Sequence, residues 1–347
     1  MNLVLPFLFL CAFSVVATAP RVDAQDESFY KGKTIKVIVG FTSGGFYDRW
    51  SRLLARYVPK YLAGSPEMVV QNMPGAGGLI AANHMYGVAK PDGVTVGMLS
   101  YGMYLDQLVG RKEVQYDVRK FGWIGSPEKS DVLMYMRSDS PYKSLDDIRK
   151  ATTPPKCGST GTAGTDYILA RLLEDTLGLK IDTVLGYPGG SEIDLAGGKG
   201  RGAMPWTYRR AVFRTGTLFI LAQEKLRQRA GLRRRQARPA HSRHADNEIF
   251  DKEKTPEESR RVADVILRGG DFGRPWVLPP GTPTERVKEL RDAYAKAMAD
   301  TGLLDEAKKG KMEVEFVRGE ELQQLAERMI GQPPGVVARV KKLLSKN

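Results

Sequence analysis

Apolar and polar residues follow each other along the chain in units of one strand and one helix. A β-branched apolar run covers 33–41, and a glycine turn and a helical spacing of apolar residues through Tyr57 follow it. The same order then returns as a strand, a tight glycine loop, a helix and a strand, over 68–72, 74–78, 79–88 and 94–100. Such alternation favours a largely parallel sheet with helices on both faces.

A second series of α/β units begins at 132. The pattern predicts a strand over 132–136, a helix that Ser144 caps, a helix over 165–177 and a strand over 183–186. Glycine-rich turns again precede the helices. We therefore expect two similar α/β lobes.

The C-terminal region is also regular. A strand at 276–278 precedes a helix in which we expect Thr282 as the N-cap and Pro283 at the first helical position. A short strand over 313–317 and a final amphipathic helix through Leu322, Leu325 and Met329 are predicted to complete the chain.

Two glycine turns carry the candidate chemistry. Thr42–Gly45 and Gly158–Gly164 each join a strand to the first turn of a helix. The first amides of a helix lack internal partners, and the aligned peptide dipoles make that end partly positive, so such a turn can hold an anion. Each turn alone is equally compatible with a purely steric role for its glycines.

Catalytic and cofactor sites are harder to assemble from this sequence. Neither turn has the Gly-x-Gly-x-x-Gly pattern of dinucleotide sites, and the full phosphate-binding pattern Gly-x-x-x-x-Gly-Lys-Ser/Thr does not occur. His84 falls inside a predicted helix, and His241 and His244 lack matching metal ligands nearby. Cys157 is interpreted as a small buried residue at a strand end, with a nucleophile as the alternative. We expect no enzyme activity, cofactor or metal.

The positive charge is concentrated in one stretch. The chain has 347 residues and a net charge of +13, and residues 199–245 hold thirteen Lys or Arg and one acid, so the remainder is close to neutral. Between 205 and 245 the α/β pattern is lost. We interpret that stretch as the product of two compensating frameshifts, and a basic arm that binds an anionic surface is the alternative.

The N-terminus is predicted to direct export. Residues 3–19 are almost unbroken apolar, and Val22-Asp23-Ala24 then provides a small-residue cleavage signal. We interpret 1–24 as a signal peptide, with an N-terminal membrane anchor as the alternative. The mature protein would be periplasmic.

Six motifs in fixed order resemble one known family. They are the strand and turn over 30–45 followed by Asp48, then 72–78, 91–93, 158–164, 187–190 and 279–283. Together they resemble the extracytoplasmic solute receptors of tripartite tricarboxylate transporters, the Bug family. The resemblance extends from about residue 28 to the C-terminus, apart from the basic stretch.

The resemblance implies a fold, a ligand and a partner. It implies a two-lobed Venus-flytrap fold, the type II-like architecture of periplasmic binding proteins, with a largely parallel or mixed sheet in each lobe. We place the first lobe at 26–131 plus 246–347 and the second lobe at 132–245. A monomer would capture a small carboxylate and deliver it to the permease subunits of the transporter, with no nucleic acid involved. The alternative is a polyanion- or nucleic-acid-binding protein that uses the stretch 205–245.

Three regions match the ligand contacts of that family. The first comprises Thr42, Ser43, Gly44, Gly45, Phe46 and Asp48; the second comprises Ser159, Thr160, Gly161, Thr162, Ala163, Gly164 and Thr165; the third comprises Tyr187, Gly189 and Gly190. Phe46 stands where the family usually has a small residue, and we expect it to narrow the pocket. Asp166 is expected to repel a second carboxylate, which disfavours citrate.

Overall fold

A computed structural model describes most of the chain outside its N-terminus and its basic stretch. The described residues are 28–130, 132–137, 140–142, 145–162, 164–198, 203–204, 206–208, 218–220 and 257–345. The predicted leader at 1–24, Ser144, Ala163 and the basic residues over 221–245 lie outside them, and so do His241 and His244.

Twelve strands are found in the described residues. In chain order they are β1 Thr34–Val39, β2 Glu67–Asn72, β3 Thr95–Met98, β4 Gly122–Ser126, β5 Val132–Arg137, β6 Lys156–Gly158, β7 Asp182–Val184, β8 Ala203–Met204, β9 Trp206–Tyr208, β10 Leu218–Ile220, β11 Trp276–Leu278 and β12 Val317–Arg318.

The same residues form eleven α-helices. They are α1 Phe46–Tyr57, α2 Leu79–Gly87, α3 Met103–Leu108, α4 Leu145–Lys150, α5 Thr165–Leu177, α6 Gly190–Gly198, α7 Glu257–Leu267, α8 Thr284–Met298, α9 Thr301–Lys309, α10 Gly319–Ile330 and α11 Pro334–Leu344. Within the described ranges, none of these helices is long and apolar enough to cross a membrane.

A six-stranded mixed sheet forms the larger body of the molecule. Its order is β12-β4-β11-β3-β1-β2, in which β1 pairs in parallel with both β2 and β3. Strand β11 lies antiparallel between β3 and β4, so a segment from late in the chain is inserted into the sheet. The expected mixed α/β sheet is confirmed.

Two smaller three-stranded sheets lie in the second series of elements. Strands β7, β6 and β8 pair in parallel, whereas β10, β5 and β9 pair antiparallel. The parallel sheet therefore has β6 at its centre, and the second glycine turn leaves that central strand. Ligand crevices in parallel α/β sheets lie beyond the carboxyl ends of the strands, which is the position of this turn.

Helix α1 is held on the large sheet by its apolar stripe. Trp50, Leu53 and Leu54 are buried and belong to one hydrophobic cluster with Val37 of β1 and Tyr294 of α8. Burial of these side chains at helical spacing fixes the orientation of α1. The N-terminus of α1 is therefore fixed next to the glycine turn that precedes it.

A second cluster surrounds α5. It includes Ile168 and Leu172 of α5, Val265 of α7, and Val340 of α11. Both α7 and α11 thus pack against α5, although they are far from it in the sequence. The predicted lobe boundaries, which assign 246–347 to the first lobe and α5 to the second, stay a prediction.

Three details of the C-terminal prediction are wrong. Thr282 does not cap α8; its hydroxyl donates to Pro279 O at 2.8 Å within the preceding turn, and Pro283 occupies the N-cap position. The helix through Leu322 is not the last, because α11 follows it. The strand expected over 313–317 is reduced to β12, since only Val317 and Arg318 pair with β4.

Candidate functional site

The first glycine turn is closed by an aspartate from the helix that follows it. Asp48 lies in the first turn of α1 and is 2% exposed. Its carboxylate accepts hydrogen bonds from the Gly44 amide at 2.9 Å, from the Ser43 hydroxyl at 3.4 Å and from Asn72 Nδ2 at 3.0 Å. Arg52 Nε donates to the same carboxylate at 2.9 Å. Asp48 therefore holds the turn against the end of β2.

These contacts keep Asp48 ionised. Burial on its own raises the pKa of this carboxyl, but the hydrogen bonds from Arg52, Gly44 and Asn72 together lower the pKa below its ordinary value. The Asp48 carboxylate is thus an anion that hydrogen bonds from its own turn stabilise. The Gly44 amide is engaged inside the turn.

The second glycine turn repeats this arrangement. Asp166 lies in the first turn of α5, is 6% exposed, and accepts hydrogen bonds from Ser159 Oγ at 2.8 Å and from the Thr160 amide at 2.9 Å. The Gly161 amide donates to Ser159 Oγ at 3.2 Å. The Asp166 side chain therefore faces its own turn.

Burial dominates the electrostatics of Asp166. It raises the pKa of this carboxyl, and the hydrogen bonds from Thr160, Ser159 and Tyr167 offset only part of that effect. The repulsion of a second solute carboxylate that we expected from Asp166 therefore stays a prediction.

The first and third predicted regions meet directly. The Thr42 hydroxyl donates to Glu192 Oε2 at 3.0 Å, and Glu192 lies in the first turn of α6, after the turn that contains Tyr187 and Gly189. A Cβ atom added at Gly189 would lie 2.2 Å from Thr42 Oγ1, so only glycine permits this approach. A Cβ at Gly45 would lie 3.8 Å from Ser191 Oγ.

The second region joins the third directly, and through it the first. The Tyr187 amide donates to the Ser159 carbonyl at 3.1 Å, which ties the second turn to the third. Gly161 has a φ of +146°, and a Cβ there would lie 3.1 Å from the backbone of Ala76 and Gly77. Backbone therefore contacts backbone where the second turn meets the 74–78 loop.

The structure thus brings the described members of all three predicted regions into one neighbourhood. Gly164 and Gly190 lie at the starts of α5 and α6, and Thr165 is the first residue of α5. Thr162 is reached by Arg111, whose Nη1 donates to Oγ1 at 2.5 Å and whose Nη2 donates to the carbonyl at 2.7 Å. Ala163 lies outside the described residues.

Phe46 lies at the edge of this neighbourhood and packs towards the large sheet. Its ring is 5.1 Å from the Arg49 guanidinium carbon and 5.2 Å from that of Arg274. Arg274 is fully buried and forms an ion pair with Glu128, whose Oε2 accepts a hydrogen bond from Trp50 Nε1 at 3.0 Å. Phe46 thus covers a buried ion pair, and its predicted narrowing of the pocket stays a prediction.

Sequence reasoning missed four residues of this neighbourhood. Ala76 and Gly77 lie in the family motif at 72–78, which the sequence did not single out as a ligand contact, and Glu192 follows the third turn by two residues. The sequence does carry a signal for Glu192. Like Asp48 and Asp166, it is an acidic residue in the first helical turn after a glycine turn. Arg111 has no local signal. In the described part of the chain, no group of three His, Cys, Asp or Glu is placed to hold a metal ion.

The fold is that of the periplasmic binding proteins, as solved structures of similar shape show. The periplasmic binding protein BugD matches with a TM-score of 0.66 at 18% identity over 90% of this chain and 98% of its own. The malate-bound MatC of Rhodopseudomonas palustris has a TM-score of 0.65 at 21% identity, and the R. palustris protein Rpa4515 with adipate has 0.64 at 19%. Both matches cover 90% of this chain. They cover 99% of MatC and 97% of Rpa4515.

Sequence comparison establishes the family. The model of the tripartite tricarboxylate transporter family receptor matches residues 51–231, which is about half of the chain. The chain belongs to this family, and it is a solute-binding receptor. The expected Bug-family membership is confirmed.

Two curated relatives agree with this assignment. A UPF0065 protein from the gbd 5' region of Cupriavidus necator is 26% identical over 331 residues, which are 93% of this chain and 91% of that protein. A UPF0065 protein from the TAR-I ttuE-ttuC' intergenic region of Agrobacterium vitis is 28% identical over 197 residues. That match spans 55% of this chain and about half, 56%, of the relative.

Proposed function

We propose that this receptor captures a small carboxylate between its three glycine turns and delivers it to the permease subunits of a tripartite tricarboxylate transporter. Family membership supports the receptor role, and two relatives of the same fold bind malate and adipate. The membership also favours this function over nucleic-acid or polyanion binding, because the matched family is one of transporter receptors.

The convergence of the three turns is the observation that carries the proposal. Thr42 contacts Glu192, Tyr187 is tied to Ser159, and Gly161 lies against the 74–78 loop. Helices α1, α5 and α6 all begin in this neighbourhood, so their partly positive N-termini lie around one space. A carboxylate there would be held mainly by the amides at these helix starts.

The strength of such a site depends on how many donors converge. One hydrogen bond contributes about 1 kcal/mol net, whereas micromolar binding requires roughly −8 kcal/mol, so several donors must act together. The candidates are the amides at the helix starts, because the hydroxyls of Thr42, Ser43 and Thr160 already bond to Glu192, Asp48 and Asp166. Asp48 and Asp166 contribute indirectly, because they fix the shapes of the first two turns.

A screen of mono-, di- and tricarboxylates against the mature chain tests the proposal. A solute that binds only the folded state at 100 times its Kd stabilises the protein by about 2.7 kcal/mol, which gives a clear rise in melting temperature. Isothermal titration calorimetry would then measure the affinity of each solute that raises it. The proposal fails if no carboxylate stabilises or binds the folded chain.

One substitution distinguishes the proposed cleft from any other surface. Gly45 has a φ of −72° and room for a Cβ, so Gly45→Leu adds bulk between the first turn and Ser191 without backbone strain. We expect it to reduce carboxylate affinity at least tenfold. Gly87→Leu is the matched control, since nothing lies within 4 Å of a Cβ at Gly87, at the end of α2. Equal affinity of the two variants would place the solute elsewhere.

We also propose that the receptor acts in the periplasm as a monomer, after removal of residues 1–24. The apolar run and the small-residue cleavage signal support export. Mass spectrometry of the periplasmic fraction should find a mature N-terminus near Gln25, and gel filtration should give the monomer mass. An intact N-terminus in the membrane fraction would instead indicate an anchor.

A further inference from the structure

Glu192 follows the third turn, but its side chain contacts the first turn. It lies in the first turn of α6, yet its Oε2 accepts the hydrogen bond of the Thr42 hydroxyl in the first turn, at 3.0 Å. The glycine at 189 lies between them, because a Cβ there would be 3.1 Å from Glu192 Oε2 as well as 2.2 Å from Thr42 Oγ1. The carboxylate of Glu192 thus stands among predicted solute contacts.

Glu192 differs from the other two acids at the turns. Asp48 and Asp166 are almost fully buried, and each accepts several hydrogen bonds from its own turn. Glu192 is half-buried and does not close its own turn. Within the described residues, Oε2 accepts from Thr42 while Oε1 accepts no protein hydrogen bond. One of its oxygens therefore has no donor among the described protein groups.

A carboxylate in this position discriminates between solutes by charge and hydrogen bonding. It repels an unsubstituted solute carboxylate, and the repulsion increases as cleft closure excludes water. A solute that carries an ammonium or hydroxyl group instead donates to Glu192, and hydrogen bonds to an ionised acceptor are the stronger kind. The same side chain thus weakens one class of solute and strengthens another.

We propose that Glu192 determines the specificity of the cleft, and that it selects carboxylates that carry a hydroxyl or ammonium donor over unsubstituted di- and tricarboxylates. The inference rests on the proposed function, because it concerns which carboxylate that cleft takes. The amides at the helix starts hold the carboxylate, and Glu192 binds the donor beside it.

Two matched series of solutes test the inference. Succinate, malate and aspartate share a four-carbon skeleton and differ at C2 by hydrogen, hydroxyl or ammonium, and propionate, lactate and alanine form the same series on three carbons. In whichever series binds, we expect calorimetry to show a donor-bearing member at least tenfold tighter than the unsubstituted one. Comparison of the hydroxyl-bearing member with the ammonium-bearing member shows which donor the cleft prefers.

Glu192→Gln should abolish this preference while the chain still binds carboxylates. It removes the charge and keeps the size, so affinity for succinate or propionate should rise about tenfold and affinity for the ammonium-bearing member should fall about tenfold. Glu320→Gln, on the distant helix α10, is the control and should leave all affinities unchanged. If Glu192→Gln does not fold, Glu192→Asp tests the inference instead. The aspartate side chain is shorter and keeps the charge, so the preference for donor-bearing solutes should fall by at least threefold.

The outcomes separate the inference from the proposed function. If the wild-type chain binds the unsubstituted member as tightly as the others, the inference is overturned and the proposed function stands. The same conclusion follows if Glu192→Gln, or Glu192→Asp in its place, keeps the wild-type preference. If the wild-type chain binds no carboxylate of any kind, both are overturned.

Discussion

Arg111 donates hydrogen bonds to Thr162 through both terminal nitrogens of its guanidinium group. Nη1 donates to the Thr162 hydroxyl at 2.5 Å and Nη2 donates to the Thr162 carbonyl at 2.7 Å, while Arg111 Nε lies 2.7 Å from Asp106 Oδ1. Thr162 belongs to the second glycine turn, whereas Arg111 and Asp106 follow β3. The contact therefore links the two series of α/β units beside the candidate cleft.

Arg111→Ala should weaken solute binding about tenfold. The hydrogen bonds to Thr162 hold the second turn beside the first series of α/β units, and a charged donor contributes about 1.5–3 kcal/mol per bond. If this arrangement is less populated, the apparent affinity falls in proportion. Calorimetry with the best carboxylate measures the change. Arg119→Ala removes a more exposed arginine that pairs with Asp117, and it should leave the affinity unchanged; an equal loss in both variants would contradict the linking role of Arg111.

Asp106 should make stability depend on pH. Burial raises the pKa of this carboxyl to about 7, with Arg111 lowering it and Glu113 raising it further. The ordinary value in an unfolded chain is about 3.9, so the folded state binds the proton more tightly. The stability contributed by the protonated form is fully present below about pH 4 and is lost as the pH rises through about 7.

Urea unfolding of the wild-type chain and of Asp106→Asn at pH 4 to 8 measures this effect. The free energy of unfolding of the wild type should fall relative to the variant over that window, by on the order of 4 kcal/mol, because each pKa unit corresponds to about 1.4 kcal/mol. Asp292→Asn, at an exposed position, should show no such trend. A difference between wild type and Asp106→Asn that stays constant with pH would rule out the raised pKa.

Gly161→Ala should impair binding as well as folding. Gly161 has a φ of +146° and its added Cβ would press on Ala76 and Gly77 at 3.1 Å, so the second turn must move away from the 74–78 loop. Gly178→Ala provides the control, because Gly178 also has a positive φ, +62°, but open space around it. Both variants should lose about 1–3 kcal/mol of stability from backbone strain.

Only Gly161→Ala is expected to lose carboxylate affinity, by about tenfold. Thermal unfolding gives the stability of both variants, and calorimetry gives their affinities. If the two variants bind equally well, the approach of the second turn to Ala76 and Gly77 has no part in binding.

The buried ion pair of Arg274 and Glu128 should be essential to stability. Arg274 is fully buried beneath Phe46 and Tyr47, and Glu128 also accepts hydrogen bonds from Trp50 and Ser130. Removal of one partner from a buried pair costs about 3–5 kcal/mol, because the other charge is left without compensation. Arg274→Met should therefore lower the melting temperature by about 10 °C.

An exposed pair supplies the comparison for this loss. Arg56 and Glu306 also form an ion pair, but both side chains are about half exposed to solvent. Arg56→Met should change stability by less than about 1 kcal/mol, as is usual for surface pairs. Similar melting temperatures for the Arg274 and Arg56 variants would show that burial does not make the first pair important.

Local sequence patterns were sufficient to predict most of the secondary-structure elements and the family. The bounds of α5, predicted at 165–177, agree with the structure, and β1 and β2 lie within a residue or two of their predicted ranges. These elements follow from the spacing of neighbouring apolar residues and from glycine turns, which are short-range properties. The ordered motifs identified the receptor family for the same reason, because each motif is a contiguous stretch.

Which elements and side chains meet became known only from the folded chain. The insertion of β11 between β3 and β4, and the packing of α11 on α5, join segments more than 100 residues apart, which no local pattern specifies. The same holds at the candidate site. Asp48, Asp166 and Glu192 all stand in the first turn of a helix, yet two face their own turn and the third reaches Thr42. Side-chain direction there depends on what the folded chain places opposite each helix end.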